Sequence, residues 1–586
     1  MIIALGEIFL RCARQASALD GDQFMNSSVD YLERILIINI SFSLSQFPSQ
    51  LQLQLRSLLH ISVKHPIGQR SSSLCSSAMF DLQLSTTLLL FLLPLISFLF
   101  LNLTAFLRKN SPSVPGKLPR SYPLIGSSLA LSANKDRRIQ WIADILMNSP
   151  SSTFLLQRSL GLRNIFTANP SNVQHILKTH FHLYQKGGFF RDTLQDFLGD
   201  GIFNADGETW KLQRQVSSHE FNTKSLRNFI ENVVDAELSD RLLPILSAAA
   251  KNKTVLDFQD IFQRFAFDNV CKIAFGYDPG YLSPSLSQEK FAQAFEDATQ
   301  ISSDRFNSIF PLVWKLKKLF DIGSEKQLRM AINEVREFAK QVIEEKKQEL
   351  REKSSLESVD LLSRFLSSGH SDENFVTEIV ISFTLAGRDT TSSVLTWLFW
   401  LIFRSPEKEE KILAEIREKS EATVYEEVRD LVYTHASLCE TMRLYPPVPA
   451  STKEAIADDV LPTGEVVKKG TRVTYHPYAM GRLEELWGVD WAEYKPERWL
   501  ERDSIGGKWS FVGRDSYSYA VFQAGPRICL GKDMAFLQMK RVVAGVLRRF
   551  RVVPAAGEGY EPVFISYMTS KMKNGFPVRI EERADA

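Results

Sequence analysis

The 26 residues Leu82–Leu107 (LQLSTTLLLFLLPLISFLFLNLTAFL) contain no charged side chain. A run of that length and composition has very few solutions. In the hydrocarbon of a bilayer every backbone N–H and C=O must be satisfied within the segment, so the run must be a helix, and about 20 apolar residues span the core. Pro94 is expected to kink it. Arg108 and Lys109 follow at once, with Lys117 and Arg120 close behind. The positive-inside bias then places the downstream chain on the cytosolic side. A buried core helix is the competing reading, but core helices rarely run so long without a charge. Residues 79–110 are therefore expected to be a single-pass membrane anchor.

The flanks of this run differ in character. Residues 1–78 are rich in Ser, Gln and Leu, poor in acidic residues after Glu33, and show no sustained helical period. They form an atypical extension. Met79, just ahead of the uncharged run, is the expected natural start, with a transit-type segment or a plain disordered tail as alternatives. Residues 111–126 (SPSVPGKLPRSYPLIG) are Pro-rich and read as a stiff hinge. From 127 to 586 no linker or repeat interrupts the pattern. Amphipathic helical spacing dominates, as in 325–349 and 374–403, and strand-like alternation is brief, as in 470–475. One mainly α domain with small β-sheets is expected there. The charge balance is nearly even at +2, and no basic tract interleaved with aromatics suggests nucleic acid. The five cysteines are odd in number and widely spaced, which argues against a disulfide framework or a zinc site.

One of those cysteines lies in the run Phe522-Gln523-Ala524-Gly525-Pro526-Arg527-Ile528-Cys529-Leu530-Gly531. A thiolate bound to haem iron needs a loop that turns tightly under the macrocycle, which Gly525 permits because it has no Cβ. It also needs N–H groups aimed at sulfur, which a following helix N-terminus supplies. Arg527 can neutralise a haem propionate, Phe522 can shield the sulfur, and Gly531 lets the next helix start close to the ring. The run resembles the F-x-x-G-x-R-x-C-x-G signature of the cytochrome P450 family, matching at every fixed position.

Three further motifs carry the same resemblance. Glu440 and Arg443 share one helical face, and Pro496-Glu497-Arg498-Trp499 follows later. By the resemblance Glu440, Arg443 and Arg498 form a buried triad that locks the haem loop. Ala386-Gly387-Arg388-Asp389-Thr390-Thr391 interrupts a long apolar helix, and Thr hydroxyls there can bond back to earlier carbonyls and open a turn. The resemblance makes this the oxygen-binding segment, with Thr390 and Asp389 delivering protons as catalytic groups. Trp210 and Arg214, four apart on one helical face, match a W-x-x-x-R pattern whose residues contact the haem propionates.

The resemblance implies a P450 fold behind a single transmembrane helix, haem b held by Cys529, and an oxygen-activating monooxygenase. No G-x-G-x-x-G unit or other nucleotide fingerprint follows a strand, so electrons are expected from a separate partner, NADPH-cytochrome P450 reductase. The expected address is the endoplasmic reticulum membrane, with the catalytic domain in the cytosol. The stretches 197–229, 361–393, 473–482, 491–500 and 511–545 are similar to plant fatty-acid ω-hydroxylases. A fatty acid is thus the expected substrate, held end-on, with Phe383 and Leu385 as candidate lining residues. Hydroxylation of jasmonoyl–amino acid conjugates, isomerisation or dehydration of fatty hydroperoxides, and a haem sensor without turnover are the alternatives.

Overall fold

In the computed structural model, the described residues are 118–584 apart from 123–124, 287–289, 309, 353–359, 368–371, 503–508 and 558. The extension, the anchor and the first part of the hinge lie outside them. No described helix is long and apolar enough to cross a membrane.

Ten of the helices carry the argument. They are α1 (Arg138–Met147), α2 (Gly187–Leu198), α3 (Gly207–Ser218), α4 (Phe258–Phe275) and α5 (Lys290–Asn307). Then come α6 (Pro311–Leu319), α7 (Gly323–Glu352), α8 (Glu373–Phe403), α9 (Val432–Leu444) and α10 (Lys532–Arg549). The segments read from spacing as 325–349 and 374–403 are α7 and α8. The helix α8 packs against α4, α7 and α9. Asp372 caps it by accepting from the Asn374 N–H at 3.2 Å. It ends at Phe403 with Arg404 as its cap, and Ser405, the residue before Pro406, is already out of helical backbone. Its last turns are apolar apart from Thr396 (Leu395, Trp397, Leu398, Phe399, Ile402) and are buried. By contrast α7 is charged on one face and buries the stripe Leu328, Ile332, Val335, Ala339, Val342.

The α4–α8 contact is aromatic. Phe262 stacks on Phe399 at 5.5 Å, and Phe258 meets both rings edge-on. All three side chains are at most 1 % exposed.

A five-stranded sheet stands beside the helices. Its strands are β1 (Thr153–Gln157), β2 (Arg163–Thr167), β3 (Tyr184–Gln185), β5 (Ser451–Ala455) and β8 (Arg472–Tyr475), in the order β1-β2-β8-β5-β3. The 470–475 alternation is β8, which runs parallel to β2 with Asn164 opposite Arg472 and Phe166 opposite Thr474. Antiparallel β5 sets Glu454 opposite Arg472 and Thr452 opposite Thr474. Partners in register share a face, so Asn164, Phe166, Thr452, Glu454, Arg472 and Thr474 form one side of the sheet. Lys453, Val473 and Tyr475 form the other. The remaining described strands, among them β4 (Leu256–Asp257), β6 (Asp459–Val460) and β7 (Val466–Val467), pair in a three-stranded sheet and three two-stranded ones.

Replacing Phe262 with alanine should open a cavity between α4 and α8 and cost about 3–5 kcal/mol. Denaturant unfolding of the variant against the parent checks this.

Candidate active site

Leu530 and Gly531 lead from Cys529 straight into α10, so the cysteine sits just ahead of a helix N-terminus. Its N–H donates to the Phe522 carbonyl at 2.8 Å, closing the loop on itself. Gly525 is needed twice over. Its φ is +61°, and a Cβ would lie 2.0 Å from the Leu177 carbonyl oxygen. Gly531 is different: a Cβ there would meet protein only at ordinary contact distance, 3.6 Å from Phe221 and 4.0 Å from Cys529 Sγ. No described protein atom forbids a side chain at Gly531. The Tyr475 hydroxyl donates to Gln523 Oε1, tying the loop to the end of β8.

The thiol is exposed, but to the interior: Cys529 lines a cavity of about 610 Å³. The protein mass around it explains why burial still pushes its pKa up, while the Gly531 N–H and then Arg214 pull it back. Thr390, Trp210, Arg214, Phe522, Arg527 and Gly531 line the same cavity, as do Phe383 and Leu385. Gly525 shapes the loop from behind. The motifs therefore converge from α3, α8 and the Cys529 loop on one space.

Two details differ from expectation. The helix α8 is helical throughout 373–403, so the turn at 386–391 is not opened; instead Thr390 Oγ1 donates back to the Ala386 carbonyl at 2.6 Å. Asp389 does not line the cavity. Its carboxylate is buried, paired with Arg388 at 3.0 Å, and accepts from Thr569 Oγ1 at 3.4 Å. Thr569 does line the cavity, so Asp389 meets it through a residue that no sequence motif singled out.

Arg527 Nη2 pairs with Asp206 at 2.6 Å and its guanidinium lies 4.4 Å from the Trp210 ring centre. Its Nε is buried without a partner. Lys186 and Lys453, which sequence reading passed over, crowd the same corner. Burial, then Arg527, brings Lys186 down to about 7, with Asp206 opposing. Lys453 is driven well below its ordinary value by burial, then by Lys186 and Arg527. Neither ammonium has an ion-pair partner among the described residues. The donor set fits haem: a thiol on one wall, and cations in excess of carboxylates where two propionates would need them.

Behind the loop, Glu440, Arg443 and Arg498 do meet. Glu440 Oε1 and Oε2 each accept from Arg443 at 2.8 Å, and Oε1 also accepts from Arg498 Nε at 3.2 Å. The Trp499 indole and the Lys495 N–H complete the carboxylate, both at 3.0 Å. Arg443 spends its other N–H groups on the carbonyls of Gly481, Trp491 and Glu493. Leaving such a buried network without its carboxylate charge costs about 3–5 kcal/mol. Glu440→Gln should therefore lower the haem bound per chain, read from absorbance against protein content, together with thermal stability.

Comparison with known proteins shows the family. The family model described as cytochrome P450 matches residues 117–576. Cytochrome P450 94A1 of Vicia sativa is 64 % identical over 466 residues, covering 80 % of this chain and 91 % of its own. Cytochrome P450 94A2 of Vicia sativa is 61 % identical (83 % and 96 % covered), and cytochrome P450 94B1 of Arabidopsis thaliana 45 % (86 % and 98 %). The chain belongs to the cytochrome P450 family of haem-thiolate monooxygenases, which use haem iron, dioxygen and electrons delivered by a reductase.

Proposed function

We propose that this enzyme hydroxylates fatty acids at or near the ω carbon, with Cys529 as the iron ligand. The observation that carries the reading is the cavity: from Cys529 and Thr390 it continues between apolar walls that include Phe189, Phe190, Phe383, Leu385 and Val394. An unbranched chain can lie along such walls and present one end to the reacting centre. The likeness of the long stretches around these motifs to plant fatty-acid ω-hydroxylases supports the same substrate.

Haem bound at Cys529 supplies oxygen activation, driven by the electron-rich thiolate. The protein's part is positioning and proton delivery. Arg214, Arg527, Lys186, Lys453 and Trp210 would hold the propionates. Thr390, which lines the cavity, passes a proton inward, and Asp389 supplies it by way of the Thr569 hydroxyl. Glu440, Arg443 and Arg498 fix the loop that carries the ligand and touch no reactant.

The same proposal covers the chain's setting. Residues 79–110 anchor it in the endoplasmic reticulum membrane, 111–126 form the hinge, 127–586 face the cytosol as the catalytic domain, and 1–78 precede the working protein. On and beside α6, Phe310, Leu312, Val313, Leu316, Leu319, Phe320 and Ile322 are exposed apolar side chains. With Lys315, Lys317 and Lys318 among them, this surface suits an anionic bilayer. NADPH-cytochrome P450 reductase is the proposed electron donor, and the exposed Lys178 and Lys532 next to the Cys529 loop support a basic docking face there.

Reconstitution with the reductase, NADPH and lauric acid should yield ω-hydroxy product, identified by mass spectrometry. Cys529→Ser should abolish both that product and the thiolate signature in the carbon monoxide difference spectrum. Turnover of a jasmonoyl conjugate with no fatty-acid product would reassign the substrate. Conversion of a fatty hydroperoxide without NADPH would reassign the reaction.

A further inference from the structure

Arg138, Arg158 and Arg472 also line the cavity, and none has an ion-pair partner among the described residues. They come from distant parts of the chain. Arg138 opens α1, Arg158 follows β1, and Arg472 begins β8. Arg472 is 7 % exposed and its guanidinium lies 3.5 Å from the Phe189 ring centre, with no hydrogen-bond acceptor among the described residues. Arg138 Nε is buried and unpartnered. Arg158 donates only to main-chain carbonyls, those of Phe306 and Ser308 at 3.2–3.5 Å. Asp304 and Glu454 are near enough to act on Arg138 and Arg472 respectively, yet neither forms an ion pair with them. Burial, then Arg158, lowers both Arg138 and Arg472 to about 10. Three guanidinium groups crowded together and poorly satisfied are costly unless an anion joins them.

This cluster is separate from the Arg527–Lys453 corner. Lys453 and Tyr475 occupy one face of the sheet, while Arg472 shares the other with Phe166 and Thr474. The strand β8 runs from the cluster to the Cys529 loop, where Tyr475 holds Gln523. Three residue steps separate Arg472 from Tyr475, about 10 Å along the strand. Arg472 thus lies three residue steps farther along β8 from the Cys529 loop than Tyr475 does.

We propose that Arg138, Arg158 and Arg472 form a carboxylate-binding site that holds the acid head of an aliphatic substrate, so that its other end reaches the reacting centre. The inference rests on the fatty-acid reading of the cavity and adds the reason oxidation falls at the far carbon. Planar guanidinium forks suit a carboxylate, and burial makes each bond stronger than at the surface. An ester or alcohol of the same chain fills the apolar walls equally but brings no charge.

The test uses the haem-loaded, full-length enzyme and three ligands with the same twelve-carbon chain: lauric acid, methyl laurate and 1-dodecanol. Affinity is read from the change each causes in the haem absorption spectrum. Lauric acid should bind at least about tenfold more tightly than the other two, the loss expected for a charge-assisted hydrogen bond. Arg158→Gln and Arg472→Gln should each weaken lauric acid by about tenfold, with methyl laurate unchanged and product spread to carbons inside the chain. Arg472→Lys should restore part of the affinity. Equal affinity for acid and ester in the unsubstituted enzyme, which needs no variant, would overturn the site. So would equal weakening of acid and ester in the Gln variants, since that marks a structural role. Hydroxylation of all three ligands with equal affinity removes the site and leaves the fatty-acid function standing. Failure of all three to bind an enzyme with an intact carbon monoxide spectrum removes both. Arginine-dependent binding of a jasmonoyl conjugate alone keeps the site and changes the substrate.

Discussion

A carboxylate with no contact to water holds the architecture around the site together. Glu440 is 0 % exposed and accepts five hydrogen bonds, from Arg443 twice, Arg498, Trp499 and Lys495. An ionised carboxylate can be buried only when such a set of donors replaces its water. Those donors come from α9 itself and from residues 495–499, while Arg443 reaches on to the carbonyls of Gly481, Trp491 and Glu493. One charge therefore fixes the path of a long irregular segment that regular secondary structure leaves unpaired. Tyr519, just upstream of the Cys529 loop, packs edge-on against Trp499 at 4.7 Å and donates to the Cys439 carbonyl on α9. The loop inherits its position from that packing.

Charge also organises the cavity. Its walls are largely apolar, yet two groups of cations face it from opposite sides of one sheet. The period-2 alternation of β5 and β8 separates them: Lys453 goes to one face, Arg472 to the other. One group gathers at Arg527 of the Cys529 loop, where an anionic cofactor belongs, and the other gathers at Arg158. A register slip of one residue would exchange the two faces and put Arg472 toward the Cys529 loop. The hydrogen bonds of Thr474 to Thr452 and Asn164, at 2.8 and 3.2 Å, help to pin that register.

What was legible in the sequence was local. The Cys529 loop is readable because a tight turn demands Gly525 at positive φ and a helix start follows within a few residues. The Glu440–Arg443 pair is readable because i,i+3 positions share a helical face, and the long helices announce themselves through apolar spacing. The Trp210–Arg214 pair was placed on one helix face in the same way, and its guanidinium lies 5.9 Å from the indole in the fold. Where expectation and fold diverge, the cause is tertiary. The turn at 386–391 stays helical even though Thr390 Oγ1 bonds back to the Ala386 carbonyl. Asp389 turns away from the cavity because Arg388 and Thr569 hold its carboxylate.

The sequence by itself determined the family, the cysteine loop and the two long helices, since each rests on residues close together in the chain. Only the tertiary structure decided which charges meet. Arg138, Arg158 and Arg472 span more than half the chain, as do Lys186 and Lys453 with Arg527 and Asp206. No spacing rule links such positions. They become neighbours because β2 and β8 pair in parallel and β5 joins in register, and the energy of a buried charge depends on that neighbourhood rather than on its place in the chain.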